Sequence, residues 1–325
     1  MTNSVSTSTA QHIAQPATPS VTPIKIGVPM FGYQHFDHCQ RHVENSGFFT
    51  ANLGDNMQSI AIRKLLKRCG VPDERVLSVN RDTLASYDGE PVAMIMNGVF
   101  PESSFPLPLQ IRPIFIGLCV REPTIERFRE FFIQHQPIGC RDITTQQLFE
   151  KYGVQAYVTG CLTLSLPNRS INDRQKKVFI VYGGGSGNFP SQVLKYIPHE
   201  HLDNAEFIYH RLPLFDFPLQ DKACHQVEAY SSFLLRRYAG HAKLVITPLH
   251  HVAAPCMAMG VPVIICREEM DGRFSFLQTL TPIYTPDQFA QINWYPDAVN
   301  TSAIRSSMQN LLRQAIRNLD QASTD

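Results

Sequence analysis

Four short segments of the sequence carry residue types suited to binding an anion or moving a proton. They are residues 52–55 (Asn-Leu-Gly-Asp), 139–142 (Gly-Cys-Arg-Asp), 183–188 (Gly-Gly-Gly-Ser-Gly-Asn) and 247–251 (Thr-Pro-Leu-His-His). Each is predicted to lie beyond the carboxyl end of a strand, where a loop enters a helix. Open α/β sheets bind their ligands at such positions. The four segments are therefore candidates for a binding site.

Arg141 and the adjacent histidines His250 and His251 could bind an anion and exchange protons. An arginine fork beside helix N-terminal N–H groups suits phosphate or carboxylate, and histidine titrates near neutral pH. The structural alternatives are an Arg141–Asp142 arrangement in which Asp142 caps the helix, and histidines that are only satisfied polar groups.

Asn52, Gly54 and Asp55 could form a binding turn, although a turn followed by a helix cap explains the same residues. Arg267 and Arg273 follow a later strand and could add positive charge, or could be exposed loop arginines. The loop at residues 183–187 completes neither a P-loop nor a G-x-G-x-x-G motif, so a flexible turn is favoured over a phosphate cradle.

No metal site is expected. The nearest clusters, at residues 35–39 and 199–201, lack a partner cluster at zinc-like spacing.

Composition excludes several classes of protein. The 325 residues carry 29 Lys and Arg against 28 Asp and Glu, which gives a net charge of +1 and no electrostatic case for nucleic acid. The eight cysteines include no C-x-x-C pair, which fits a reducing compartment and predicts a cytoplasmic protein. The longest apolar stretch, residues 252–266, is broken by prolines and glycine, so no transmembrane segment is expected.

Hydrophobic patterning predicts alternating strands and helices, which is typical of parallel sheets covered on both faces. Strands are predicted at residues 24–30, 76–79, 92–96, 113–120, 154–158, 178–182, 207–210, 244–247 and 261–266, and a strand end at 137–142. Helices are predicted at residues 59–69, 124–134, 144–152, 191–196, 222–238, 252–259 and 303–319. Residues 47–55 are predicted to be a loop. The fold class is therefore α/β, with two Rossmann-like domains facing a cleft and a C-terminal helix.

The same patterning predicts the domain boundaries. Residues 1–23, rich in Ser, Thr and Pro, are predicted to be a disordered leader. Residues 24–170 and 171–300 are predicted to be the N-terminal and C-terminal Rossmann-like domains, joined by a polar linker near residues 167–177. Residues 301–325 are predicted to be an amphipathic helix and tail.

Taken together, the segments resemble the polysaccharide pyruvyl transferase family. The resemblance runs through residues 49–66, 137–166 and 239–264, and covers most of residues 24–300 in the family's order. It implies a fold like that of the GT-B glycosyltransferases, with the N-terminal domain on the acceptor side and the C-terminal domain on the donor side. It also implies transfer of the pyruvyl group of phosphoenolpyruvate to a sugar of a surface or exopolysaccharide precursor, forming a pyruvate ketal. No cofactor is implied, since phosphoenolpyruvate is itself the donor substrate.

The resemblance implies roles for individual residues. His251 would supply or relay a proton, and Asp55 would orient or deprotonate a sugar hydroxyl. Arg141 and Gly54 fall on positions of the family's motifs and would bind substrate. Asn52 and His250 are expected to bind substrate because they lie in the same segments, and Arg267 and Arg273 are the nearest candidates for a basic residue that relatives have after the following strand.

Two adjacent positions depart from the family pattern, namely Leu249 and His250, the second of which stands where the family has leucine. The family's Ser/Thr-Arg-Leu-His loop places its arginine where this chain has Leu249, which puts the affinity for the donor in question. Two alternatives therefore stand beside the pyruvyltransferase prediction. One is a GT-B glycosyltransferase that binds a nucleotide diphosphate at residues 183–187, and the other is an inactive family member that acts as a binding or scaffold protein.

The expected partners are phosphoenolpyruvate and a sugar or glycan-lipid acceptor. A glycan-lipid acceptor would place the protein at the inner face of the membrane as a peripheral protein. The sequence leaves the oligomeric state open.

Overall fold

A computed structural model describes residues 23–34, 37–172, 174–184 and 187–321.

The first of two parallel sheets contains six strands. The strands are β1 (Lys25–Met30), β3 (Val76–Asn80), β4 (Val92–Val99), β5 (Ile111–Cys119), β6 (Ile138–Cys140) and β7 (Ala156–Val158). Their order is β3–β1–β4–β5–β6–β7, and every neighbouring pair is parallel. The chain therefore changes its direction across the sheet between β1 and β4, which creates a switch point where ligands commonly bind.

The second sheet repeats this arrangement with five parallel strands. They are β8 (Lys177–Tyr182), β9 (Ala205–Tyr209), β11 (Ala242–Thr247), β12 (Val263–Cys266) and β13 (Ile283–Tyr284), in the order β13–β12–β11–β8–β9. Its switch point lies between β8 and β11. The carboxyl ends of these two strands lead into the glycine loop and into the Pro-Leu-His-His segment.

A two-stranded antiparallel ribbon links the two halves of the chain. β2 (Phe49–Asn52) pairs with β10 (Arg211–Leu214), so that Asn52 lies opposite Arg211. This pairing brings together residues that are about half the chain apart in sequence.

Nine helices cover the sheets in the described part of the chain: α1 (Asp37–Ser46), α2 (Leu53–Arg68), α3 (Glu122–Arg127), α4 (Arg129–Gln134), α5 (Ile143–Lys151), α6 (His199–Leu202), α7 (Asp221–His241), α8 (His250–Ala258) and α9 (Ser302–Gln321). A continuous apolar core joins β1, α2, α7, α8 and β11, and it includes Val28, Leu65, Leu234, Val245 and Met257. Because α2 packs against α7, α8 and α9, both sheets share this core.

The C-terminal helix packs on the body of the protein. Met308, Leu312 and Ile316 of α9 are buried, and Asp320 forms an ion pair with Arg75 at 2.5 Å. The helix is amphipathic, as the sequence predicts.

The predicted α/β fold class is confirmed, because the chain forms two Rossmann-like parallel sheets. The predicted cleft between the two domains stays a prediction. The division into domains at residue 170 stays a prediction. The predicted leader lies outside the described residues up to residue 22, as do the final four residues of the predicted tail.

Several predicted elements were wrong. Residues 47–55 are not a loop, because β2 occupies residues 49–52 and α2 begins at Leu53 rather than near Ser59. Residues 191–196 form a 3-10 helix rather than an α-helix, and the helix predicted at 124–134 is divided into α3 and α4. In the described ranges, no helix is both long enough and apolar enough to span a bilayer.

Candidate functional site

The eight residues predicted to bind substrate or act in catalysis all line one cavity. They are Asn52, Gly54, Asp55, Arg141, His250, His251, Arg267 and Arg273. The cavity has a volume of about 750 Å³, including its open mouth. Its walls come from the ends of β4, β6, β8 and β11 and from the first turns of α2 and α8, so that both switch points contribute.

The first turn of α2 brings Asn52 and Asp55 to the cavity. Asn52 is the N-cap, and its side-chain oxygen accepts a hydrogen bond from the backbone N–H of Gly54 at 3.1 Å. The Tyr33 hydroxyl accepts from the Asn52 backbone N–H at 3.0 Å and lies 3.4 Å from Asp55 Oδ2, to which it can donate. The predicted alternative of a helix cap therefore holds for Asn52, while Asp55 lines the cavity with its carboxyl group beside the Tyr33 hydroxyl.

Burial raises the pKa of Asp55 above its usual range, and the nearby cations Arg81 and Arg211 partly offset this effect. A carboxyl group with a raised pKa can carry or accept a proton closer to neutral pH.

Gly54 allows α2 and α8 to approach closely. A Cβ at position 54 would lie only 2.7 Å from the Cβ of His251. Because that distance is well inside van der Waals contact, the side chain of any other residue would separate the two helix N-termini. The glycine therefore fixes the distance between Asp55 and His251 across the site.

Arg141 presents a buried, partly unpaired guanidinium group. Its side chain is only 2% exposed, and its Nε lies 3.4 Å from Asp142 Oδ2. Its Nη2 has no hydrogen-bond partner among the described residues. Asp142 mainly caps α5, where its Oδ1 accepts from the Thr145 backbone N–H at 2.8 Å. Leaving a buried guanidinium donor unsatisfied costs free energy, which an anionic ligand would recover.

His250 and His251 occupy the first turn of α8. Their backbone N–H groups have no acceptor in the part of the chain that the structure describes, as expected at a helix N-terminus. Burial is the main cause that holds the pKa of each imidazole well below its usual range. Arg141 and Arg273 add to the effect on both rings. Two N–H groups and a helix dipole thus face the cavity beside Arg141.

Arg267 and Arg273 lie in the cavity wall but are largely committed to neighbouring groups. Arg267 donates from Nη1 to the backbone oxygen of Pro248 at 2.6 Å, and its guanidinium stacks on Phe274 at 4.3 Å from the ring centroid. Arg273 donates from Nε to both carboxylate oxygens of Asp271, at 2.8 and 3.0 Å. These arginines shape the loop and supply positive charge.

The glycine loop closes on itself. The N–H of Gly183 donates to the carbonyl of Gly187 at 2.8 Å, and the N–H of Gly187 donates to the carbonyl of Gly184 at 3.2 Å. Leu249 packs on the loop, because a Cβ on Gly187 would lie 2.5 Å from Leu249 Cδ2. Two of the amides that a phosphate cradle would need are therefore already used, and the glycines make room for Leu249. Gly185 and Ser186 lie outside the described residues.

Two polar residues of the cavity, His210 and Arg211, were not predicted from the sequence. Both follow the carboxyl end of β9, but the chain continues there into strand β10 rather than into a helix, so the rule that singled out the other four segments did not select them. His210 is 1% exposed, and its Nε2 lacks a hydrogen-bond partner in the described ranges. Burial, with a smaller contribution from Arg211, lowers the pKa of His210 to about 3.

The arrangement is suited to a small anion. Within the described ranges, no three His, Cys, Asp or Glu side chains cluster as a metal would require. The basic side chains and α8 instead surround a space that also holds an acid, Asp55. The fold and the site together define an α/β protein with a cavity lined by basic side chains and by candidate proton donors and acceptors.

Comparison with known proteins identifies the family. The sequence model of the polysaccharide pyruvyl transferase family matches residues 52–269, which include seven of the eight predicted site residues. The chain belongs to this family of transferases. A search of curated proteins found no match. A solved structure of an uncharacterized protein from Klebsiella pneumoniae is similar over 78% of this chain and 88% of that chain, with 11% sequence identity and a TM-score of 0.40.

Proposed function

We propose that this protein transfers the pyruvyl group of phosphoenolpyruvate to two hydroxyl groups of a sugar in a surface or exopolysaccharide precursor. The observation that carries the proposal is the unpaired Nη2 of Arg141, buried in a cavity lined mostly by residues within the part of the chain that matches the family model. Phosphoenolpyruvate is small and bears a carboxylate and a phosphate, so its size and charge match a cavity lined by arginines.

In this proposal, Arg141 and the N-terminus of α8 hold the donor. Arg141 donates from Nη2 to one anionic group of the donor, and the backbone N–H groups of His250 and His251 donate to the same group or its neighbour. Arg267 acts indirectly, since its hydrogen bond to Pro248 fixes the loop that presents these N–H groups.

The reaction requires two proton movements. One sugar hydroxyl attacks C2 of phosphoenolpyruvate while C3 gains a proton and becomes a methyl group. The C2–O bond to phosphate then breaks, and the second hydroxyl adds to C2 to complete the ketal. Of the two hydroxyl protons, one balances the proton added to C3 and the other leaves with inorganic phosphate.

His251 and Asp55 flank the space where these protons move. The arginines and burial keep His251 neutral at neutral pH, but a donor with several negative charges offsets the arginines and raises the pKa of the imidazole. We assign His251 as the proton donor to C3 in the donor complex. Asp55, held by the Tyr33 hydroxyl, orients a sugar hydroxyl and accepts its proton.

The two alternatives make different predictions about ligands. A glycosyltransferase would bind a nucleotide diphosphate at the glycine loop, whereas the N–H groups of Gly183 and Gly187 already donate hydrogen bonds within that loop. An inactive scaffold would fit the presence of Leu249, but the other cavity residues retain the groups needed to bind an anion.

The test is a coupled assay with purified protein, phosphoenolpyruvate and a panel of acceptor glycosides. We expect phosphate release together with an acceptor mass gain that corresponds to one pyruvyl ketal. Both signals should be lost in Arg141→Ala and His251→Ala but not in Arg236→Ala, since Arg236 is an exposed arginine of α7.

Three results would contradict the proposal. One is thermal stabilisation by UDP or GDP but not by phosphoenolpyruvate, which would favour the glycosyltransferase. Another is activity that appears only in Leu249→Arg, which would indicate an inactive family member. The third is wild-type protein that neither binds phosphoenolpyruvate by calorimetry nor modifies any acceptor.

A further inference from the structure

The donor carries two anionic groups, but one arginine of the cavity cannot satisfy both. Arg141 has one unpaired nitrogen, Nη2. Arg267 directs Nη1 to Pro248 and Nε to the backbone oxygen of Glu269 at 3.1 Å, and Arg273 is paired with Asp271. A second anionic group therefore calls for another cation in the cavity wall.

Arg211 is such a cation, and the ribbon holds it in place. It lies in β10 opposite Asn52 of β2. Its Nε donates to Thr50 Oγ1 at 2.7 Å and its Nη2 donates to the Thr50 backbone oxygen at 2.8 Å. Nη1 makes no hydrogen bond with any residue that the structure describes. Two hydrogen bonds thus fix the plane of the guanidinium and leave one nitrogen for a ligand.

Arg211 and Leu249 flank the same glycine loop. Leu249 packs against Gly183 and Gly187, whereas a Cβ on Gly184 would lie 3.8 Å from Arg211 Cδ. Leu249 is the N-cap of α8 and contributes no charge there. The wall around the loop therefore receives its positive charge from the ribbon and not from the start of α8.

We propose that Arg211 binds the second anionic group of the donor, from the side of the glycine loop that lies across from Leu249. This inference rests on the proposed function, because it assigns a residue to the same donor. It makes the β2–β10 ribbon part of the donor site, and it explains how a cavity with leucine at position 249 retains a second point of attachment for an anion.

Calorimetric titration with phosphoenolpyruvate tests the assignment. Arg211→Gln removes the charge while keeping an amide that can still hydrogen-bond to Thr50, and we expect its Kd to rise by about 10- to 100-fold, as when a charge-assisted hydrogen bond is lost. Thr50→Val keeps the charge but loosens its support, so a smaller rise is expected. Arg236→Ala should bind as the wild type does.

A double variant supplies a second readout. Arginine at position 249 would reach the same space from the other side of the loop, so Arg211→Gln combined with Leu249→Arg should recover part of the lost affinity. Circular dichroism and melting curves of each variant identify any that fail to fold. In that case Arg211→Lys provides a further variant, which keeps the positive charge but lacks the forked guanidinium group.

Three outcomes test the inference and the proposed function separately. If the wild type binds phosphoenolpyruvate and folded Arg211→Gln binds it equally well, Arg211 does not contact the donor and the inference is overturned. A change in the KM of Arg211→Gln for the sugar would not alter that conclusion. If the double variant binds no better than Arg211→Gln, the two positions do not serve the same anionic group. Wild-type protein that does not bind phosphoenolpyruvate at all contradicts the proposed function itself.

Discussion

Replacing Gly54 by alanine should damage the site more than it damages the fold. The new Cβ would lie 2.7 Å from His251 Cβ and 3.2 Å from Asn52 Oδ1. Because a Cβ is fixed to the backbone, no change of rotamer relieves the contact with His251. The first turns of α2 and α8 must therefore move apart, and Asp55 and His251 move with them.

The magnitudes follow from that contact. Carbon atoms in ordinary contact lie about 3.5–4.0 Å apart, so the helices must separate by roughly 1 Å. Overpacking of this kind costs about 1–3 kcal/mol, while alanine in a helix recovers about 0.5–1 kcal/mol relative to glycine. Stability should therefore fall by only about 1 kcal/mol, whereas a displacement of about 1 Å in a catalytic site can reduce the rate by about 100-fold.

Melting curves and initial rates measured on the same samples test this prediction. The matched control is Gly240→Ala in α7, where a Cβ would meet nothing within 4 Å. This control should gain about 0.5–1 kcal/mol of stability and keep full activity. A Gly54→Ala protein that is as stable and as active as the wild type would refute the argument that close approach of the two helices sets the geometry of the site.

Three further predictions concern protonation and packing. The pKa of His210 is lowered to about 3 in the folded protein, so the unfolded chain binds this proton first as the pH falls. Between pH 6.5 and about 3, the free energy of unfolding of the wild type should therefore decrease by about 1.4 kcal/mol per pH unit relative to that of His210→Gln. Denaturant titrations across that range measure the difference. Donor binding should raise the pKa of His251, so that a proton is taken up and donor affinity increases as the pH falls. Calorimetry in buffers of different ionisation enthalpy should therefore show more proton uptake for the wild type than for His251→Gln. Equal proton uptake in the two proteins would contradict the role assigned to His251. Leu312→Ala should destabilise the protein by about 2–5 kcal/mol in chemical denaturation, because the Leu312 side chain is fully buried, and an unchanged midpoint would show that α9 does not support the body.

Much of the fold could be predicted from local patterns. Nearly all strands of the two parallel sheets are apolar runs bounded by glycine, proline or polar residues, and α9 has a regular apolar face. β2 was missed because its four residues form a strand through pairing with β10, far away in sequence. α1 was missed because its sequence is mostly polar, and Cys39 is its one fully buried residue among those whose side chains are described.

The members of the site were easier to predict than their chemical states. The carboxyl-end rule brought eight residues to one cavity, but the sequence could not show that Arg267 and Arg273 are engaged by Pro248 and Asp271. It also gave no indication that burial keeps His251 neutral. Hydrogen bonding and desolvation depend on the packed surroundings, which residue spacing alone does not reveal.

A crystal structure of the protein in complex with phosphoenolpyruvate would show whether the cavity is the donor site. We expect the donor in the cavity, with one anionic group accepting from Arg141 Nη2 and an N–H group of α8 close to the carboxylate or phosphate. A donor bound elsewhere, or a cavity without donor in crystals grown at saturating phosphoenolpyruvate, would show that Arg141 and α8 do not bind the donor.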